Sequence, residues 1–298
     1  MVIVTVGGES YYINRRLKEL WDNIKDGKLK KLDEDRVYVV DGRERTGKSV
    51  FALQQAAYID PTLINDMSRI TFTVEDTIDA IRKTDSNDKE TKAIIFDEAF
   101  RGLSSKSAIS KTNKELIQAL MEMGQKNLVL FLVSPSFFYL ELYAAVIRSH
   151  GLFHIIKEKG SGKRSFRAFS YRKKGILYRR GIKKGWSYNI NTRFRDWYFN
   201  KYPGGKNFEI KYKAKKSRSL MGTETIKKEL GSEEKRELRR GIVKKAMEIG
   251  YGDKKKLIAE LFGVDVRTIQ DDFKKISSNT PEIIPKTPIN DDNEEGNL

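Results

Sequence analysis

The sequence predicts an α/β protein: a mostly parallel sheet flanked by helices, followed by a small basic β-rich module and a helical module. Three observations predict it. Between Arg36 and about Glu158, short apolar runs alternate with stretches of helical character, the pattern of repeated strand–helix units. A glycine-bracketed loop, "DGRERTGKS", joins the first of these apolar runs to the first of these helical stretches. Beyond residue 157 the composition turns basic and aromatic, and beyond residue 221 it turns helical.

Taken in order, residues 1–35 read as an N-terminal extension with a short strand and a helix around Asn14 to Ile24. In the core, 36–158, the runs Val37–Val40, Ile70–Phe72, Ala93–Phe96, Leu128–Val133 and Leu152–Ile156 have strand length and strand composition. Helices are predicted at Lys48–Tyr58, Val74–Lys83, Asn113–Met123 and Phe137–Ile147, the third capped by Thr112 or Asn113. Leu128 to Ile147 is long enough to span a bilayer. Ser134-Pro135-Ser136 breaks it and Glu141 interrupts its second half, so it reads as a buried strand and a helix, and no membrane span is expected. In 159–220, "GSGK", "KKG" and "GIKKG" separate aromatic-rich runs, which suggests hairpins of a small twisted sheet. Residues 221–276 are predicted helical, and 277–298 form a polar, acidic, proline-broken tail predicted to be disordered.

Charge narrows the partners. The 298 residues carry a formal net charge of +17, and residues 157–218 hold 21 Lys and Arg against three acids, so the excess is concentrated there. Aromatics such as Phe166, Tyr171, Trp186 and Trp197 are interleaved with it. Phosphate neutralisation combined with stacking faces suits a nucleic-acid strand. The glycine spacing argues against an amphipathic helix lying on a membrane. A cysteine count of zero excludes a disulfide framework and a thiolate zinc site and fits a reducing cytoplasm, the predicted location. "MVIVTVGGES" lacks the basic start and long apolar run of a leader. His150 and His154 stand four apart without carboxylate or thiolate company and read as structural rather than as a metal pair. No cluster of acids follows the core as a two-metal nuclease would need.

The loop carries the chemistry. Gly42, Gly47, Lys48 and Ser49 fit G-x-x-x-x-G-K-[ST], in which backbone N–H groups at a helix start cradle phosphates while the lysine reaches the β- and γ-phosphates. The whole segment Gly42, Arg43, Glu44, Arg45, Thr46, Gly47, Lys48, Ser49 and Val50 is therefore a candidate ATP contact. Ser49 is the expected Mg²⁺ ligand of the loop. In "AIIFDEAF" an apolar strand ends in Asp97 and Glu98, the first placed to hold Mg²⁺ and the second to polarise an attacking water. Arg43 and Arg45 are candidates to stabilise charge at the γ-phosphate.

"GRERTGKS", "IIFDEA" and "FLVSPS" resemble the P-loop ATPases that carry an extra catalytic glutamate. These include pumping motors of the FtsK/HerA type, zonular-occludens-toxin-like phage ATPases and viral DNA-packaging, terminase-like ATPases. The resemblance implies that Lys48 and Ser49 bind phosphate and metal, Asp97 holds the metal, Glu98 is the general base and Ser134 is the polar sensor. It also implies an arginine within the loop, as in packaging-type ATPases. Arg148, after the predicted helix that follows Ser134, is a second candidate finger, acting on a neighbouring subunit's site, and Arg101 a third.

"KKKLIAELFGVDVRTIQDDFKKI" reads as a helix-turn-helix, with Ala259 as small contact, Gly263 and Val264 at the turn and Ile269 as core anchor. Its second helix, about Val266 to Lys275, offers Arg267, Thr268, Gln270 and Lys274 to a groove. Asp271 and Asp272 suit phosphates poorly, so a helical hairpin used only for packing remains open. The predicted function is an ATP-hydrolysing DNA motor of a virus or mobile element. It is expected to act as a ring-forming homo-oligomer on double-stranded DNA, with a portal, capsid or transfer-complex protein as further partner, in the host cytoplasm if viral. The competing readings are an AAA+-like replication initiator or helicase loader, and a non-enzymatic ATP-gated DNA-binding regulator.

Overall fold

The apolar run after Arg36 becomes β3 (Arg36–Gly42), the central strand of a seven-stranded sheet. The structure, a computed structural model, describes residues 2–103, 111–228, 240, 243–244, 255, 259 and 264–278. The chain divides into two units, Met1–Leu220 and Met221–Leu298.

In the first unit, β4 (Ile70–Thr71), β5 (Ala93–Asp97), β6 (Val129–Ser134) and β7 (Gly151–Lys157) join β3 in a parallel set, in the spatial order β4-β5-β6-β3-β7. The near-continuous apolar character of β5 and β6 follows from burial on both faces. On one face lies α3 (Lys48–Ile59), whose side chains from Val50 to Ile59 are all buried. A helix apolar on every side needs cover on every side. The sheet supplies one side of it. The other comes from the N-terminal residues, as the hairpin β1 (Val2–Val6) and β2 (Glu9–Ile13) and the helix α1 (Arg15–Asp22). Val4, Tyr11, Leu17 and Trp21 share one core with Phe51 and Leu53. Trp21 Nε1 donates to Gln55 Oε1 at 2.8 Å and Tyr11 donates to the Gln54 carbonyl at 2.8 Å. The short α2 (Lys28–Leu32) leads into β3. On the opposite face, α4 (Val74–Lys83) and α6 (Lys111–Glu122) pack over β5 and β6 through Ile78, Ile81, Leu116 and Leu120. The brief α5 (Phe100–Leu103) follows β5.

Two predicted features take another form. Phe137–Ile147 is not one helix but a 3₁₀ turn, Phe137–Tyr139, and a π-helix, Tyr143–Arg148. Pro135 precedes it, Asp41 captures the Phe137 N–H at 2.8 Å, and Glu141 accepts from Tyr143 N at 2.9 Å. The buried Lys174 donates to the carbonyls of Ala145 and Val146 at the end of the π-helix. Local side-chain partners thus displace the regular helical ladder.

The residues 159–220 do not build hairpins of their own sheet. β8 (Arg164–Ser170) and β9 (Phe194–Tyr198) extend the core sheet antiparallel from β7. "GSGK" does form the β7–β8 turn, but "KKG" lies inside α7 (Tyr171–Lys183) and "GIKKG" ends it. The inward side of α7 is Lys174, Leu177 and Gly181, at helical spacing, so the three basic–glycine runs differ in structure despite similar composition. α8 (Gly205–Lys228) completes the segment.

In the second unit, α9 (Val266–Ser278) starts at Asp265, whose carboxylate accepts from Arg267 N at 2.8 Å. Ala259 and Ile269 are both buried, with Val243 and Phe273. Arg267, Gln270 and Lys274 are exposed, as is Asp271, while Asp272 turns inward to Arg240 at 3.3 Å. Gly263 and the tail after Ser278 lie outside the described residues. Among the described residues no helix is long and apolar enough to cross a membrane.

Of the two histidines, His150 stands just before β7 and His154 at its middle. His150 accepts from Val37 N at 3.1 Å, and His154 Nδ1 meets Asp41 Oδ1 at 2.9 Å. Burial, with Arg36 beside it, pushes His150 from 6.5 down to about 4. Between those values the unfolded chain binds a proton that the folded chain refuses, so stability should fall as pH drops from about 6.5 to about 4. Urea midpoints of the parent and His150→Gln across that range should show a shallower pH slope in the variant. Equal slopes would remove His150 as the cause.

Candidate nucleotide site

The loop between β3 and α3 is held from outside. Gly42 and Gly47 have φ of +145° and +96°, and a Cβ on them would stand 2.3 Å from the Ile155 carbonyl oxygen and 2.4 Å from Asn200 Oδ1. Thr46 Oγ1 and Lys48 Nζ donate to the Arg43 carbonyl at 2.8 and 2.9 Å. Arg164 Nε on β8 donates to the Thr46 carbonyl at 3.1 Å, and Tyr198 on β9 donates to the carbonyls of Thr46 and Gly47 at 3.1 Å. In a trans peptide the N–H opposes the C=O, so these donors turn the N–H groups of Gly47 and Lys48 the other way. The loop is thereby set with N–H groups free for an anion at the start of α3.

One strand separates the loop from the acids. β6 lies between β3 and β5, with Ser134 opposite Asp41 and Val133 opposite Asp97. Ser49 Oγ donates to Asp97 Oδ1 at 3.2 Å. Glu98 follows with φ of +77°, a left-handed conformation that a glutamate adopts at a cost of about 1–3 kcal/mol. The other Asp97 oxygen accepts from the Tyr212 hydroxyl and from Lys216 Nζ at 2.9 Å, and the same ammonium reaches Glu98 Oε1 at 2.9 Å. Burial works against the charge of Lys216, but Asp97 and Glu98 outweigh it and hold its pKa above the ordinary lysine value. Lys48 is shifted down by burial, against the pull of Glu98, Asp97 and Asp41. A cavity of about 710 Å³ opens over these groups.

The predicted residues divide by location. Glu44, Arg45, Gly47, Lys48, Ser49, Val50, Asp97, Glu98 and Ser134 all line the cavity. Ser134 Oγ donates to the Ser136 carbonyl at 3.0 Å. Arg45 is exposed at φ of +59°, whereas Arg43 lines a separate cavity of about 540 Å³ with His154, Trp186 and Tyr188. Arg148 is not brought to the loop. Its guanidinium is bonded to Asp35 and to the Leu120 carbonyl, at the start of β3, roughly 20 Å of strand from the phosphate end. The Arg101 side chain lies outside the described residues. Sequence reasoning missed Asp41, Arg164, Tyr212 and Lys216. Phe208, Tyr212 and Lys216 recur every four residues, a face that is visible in the sequence once α8 is taken as a helix.

A hydroxyl and a carboxylate oxygen, Ser49 and Asp97, form a hard donor set that fits Mg²⁺, which takes the rest of its shell from phosphates and water. The parallel sheet, the loop at its carboxyl edge and these donors together make a P-loop nucleotide-binding fold.

No family profile and no curated protein matches the chain. Among solved structures it is similar to the N-terminal domain of zonular occludens toxin from Neisseria meningitidis, at 16% identity over 46% of this chain and 84% of that chain, with a TM-score of 0.30. It is also similar to the genome-packaging NTPase B204 of Sulfolobus turreted icosahedral virus 2 in complex with ATP-gammaS, at 15% identity, 47% and 94% coverage and a TM-score of 0.31. A KaiC-like protein from Pyrococcus horikoshii follows at 13% identity, 47% and 81% coverage and a TM-score of 0.29. At such scores the site's own geometry carries the reading.

Behind the loop, the fully buried Asp41 accepts from Phe137 N and Tyr188 and pairs with His154, whose ring stacks on Tyr188 at 3.7 Å. Asp41→Ala takes the acceptor from the buried Phe137 N–H and from the half-buried Tyr188 and His154, and should cost about 3 kcal/mol in urea unfolding, and Tyr188→Phe about 1 kcal/mol. Unchanged stability in both would mean that this network does not support the loop.

Proposed function

We propose that the chain is a Mg²⁺-dependent ATPase that couples ATP hydrolysis to the movement of double-stranded DNA as a ring-forming homo-oligomer. The observation that carries the ATPase reading is the hydrogen bond from Ser49 to Asp97, with Glu98 next in the chain on the same cavity. Lys48 and the loop N–H groups bind the phosphates, and Ser49 and Asp97 hold the metal. Mg²⁺ when bound neutralises charge on the β- and γ-phosphates. Glu98 orients the attacking water and takes its proton, Ser134 senses the terminal phosphate from the intervening strand, and Arg45 adds positive charge from the loop. Arg148 serves a neighbouring subunit's site only if assembly frees it from Asp35.

The DNA reading rests on the basic residues that remain outside. Arg172, Arg179, Arg180, Lys183 and Lys184 are exposed along and after α7, with Tyr171 and Trp186 each 57% exposed among them. On the edge strand β9 and its approach, Arg193, Arg195 and Trp197 point outward in alternation. Such a surface suits phosphate neutralisation with stacking. Arg267, Gln270 and Lys274 on α9 are a second, groove-reading set.

Glu98→Gln should bind ATP with Mg²⁺ at parental affinity while turnover falls on the order of 10²- to 10⁴-fold. Parental turnover would exclude Glu98 as the base. For DNA, charge reversal at Arg172, Arg179, Arg180 and Lys184 should weaken binding to every sequence alike. It should also flatten the log–log salt dependence by about 0.9 per lost phosphate contact. Affinity titrations of parent and variant at several salt concentrations decide this, and an unchanged slope would remove α7 from the DNA path.

A further inference from the structure

α8 brings to the phosphate cavity a lysine that the loop motif does not include. Lys216 Nζ lies 2.9 Å from Asp97 Oδ2 and 2.9 Å from Glu98 Oε1, on a side chain 26% exposed. One turn before it the buried Tyr212 donates to the same Asp97 oxygen, and one turn before that Phe208 is buried in the main core. These three residues form one helix face, so the helix is anchored and the ammonium arrives at the end of a flexible stem. The Phe72 ring, 5.9 Å from the ammonium, flanks that stem. Next to Lys216, Lys215 donates to the carbonyls of Met67 and Ile70 at 2.6 and 2.8 Å, which ties the same turn of α8 to β4 and its approach.

The two partners of Lys216 are the carboxylates to which the proposed reaction assigns the metal and the base. A largely buried ammonium needs a counter-charge, and a metal at Asp97 competes with it for the same carboxylate. An ammonium that gives up Asp97 remains beside Glu98, where the new anion that a nucleotide brings is its terminal phosphate. Resting on the reading of this cavity as an ATP site, we propose that Lys216 is a second phosphate-binding lysine from the same chain, which contacts the γ-phosphate and so distinguishes a nucleoside triphosphate from a diphosphate. With a diphosphate in place no γ-oxygen replaces Asp97, and Lys216 stays on the two carboxylates in competition with the metal.

The test is binding rather than turnover. Fluorescent, non-hydrolysable ATP and ADP analogues are titrated with Mg²⁺ into the full chain, into Lys216→Met, which keeps the stem beside Phe72 and removes the charge, and into Lys216→Arg. Triphosphate affinity should fall about tenfold or more in Lys216→Met, the range for one charge-assisted hydrogen bond, while diphosphate affinity stays level or tightens. Lys216→Arg should keep most of the discrimination. Parallel loss for both nucleotides, or tighter binding of both, overturns the inference and leaves Lys216 as an anchor of α8 or a plain block on Asp97. A parent that binds neither nucleotide, and is indistinguishable from Lys48→Ala, overturns the nucleotide-site reading as well. A parent that binds normally, with the same triphosphate-to-diphosphate ratio in Lys216→Met, overturns the inference alone.

Discussion

The carboxylate of Asp97 is where the separate parts of the first unit converge. It closes β5, receives Ser49 from the first turn of α3, and receives Tyr212 and Lys216 from α8. A carboxylate 2% exposed is stable as an anion only if donors surround it, and here they come from two helices that are distant in sequence from it and from each other. The pairing of β5 with β6, the docking of α8 and the start of α3 are thereby coupled. Burial, with Asp97 beside it, also drives the Tyr212 pKa well above its ordinary value, so that hydroxyl remains a donor throughout the physiological range.

The same logic explains why the chain continues beyond a five-stranded parallel core. A phosphate loop needs its carbonyls turned away from the ligand, and in this chain Arg164 and Tyr198 do that from β8 and β9. Gln54 on α3 donates to the carbonyls of Phe199 and Lys201 at 2.7 Å each, so the strand that steadies the loop is itself tied to the helix that the loop begins. Asp41 does the corresponding work underneath, joining the end of β3 to Phe137, His154 and Tyr188. The loop is thus fixed by residues from both sides of the sheet's carboxyl edge.

What the sequence discloses follows the range of the interaction. The five parallel strands and α3, α4 and α6 are legible because burial on both faces writes continuous apolar runs, and helices write a period of 3.6. That Lys48, Ser49, Asp97 and Glu98 line one cavity is legible because each pair sits in a motif of fixed local spacing at a strand end. The pairing of β8 with β7 and the placement of Tyr212 over Asp97 are not, because each depends on contacts more than a hundred residues away or on where a turn sends the chain. The N-terminal hairpin, part of what reads in the sequence only as an extension with a short strand and a helix, is hidden for the same reason. The need that it meets belongs to α3, whose uniform burial shows in the sequence only as a helix with too few polar positions.

Charge is where composition misleads most. Residues 157–218 read as a basic surface, yet several of their cations are internal fittings. Lys174 satisfies carbonyls of the π-helix and is pushed down to about 8 by burial, Arg164 holds the phosphate loop, Lys215 fastens α8 to the region of β4, and Lys216 sits on the carboxylates of Asp97 and Glu98. A long aliphatic stem lets such residues cross apolar ground and spend their charge on a buried acceptor. The cations left on α7 and β9 are therefore fewer than the net charge suggests, but they are arranged on two definite elements, and it is this arrangement that a polyanion would meet.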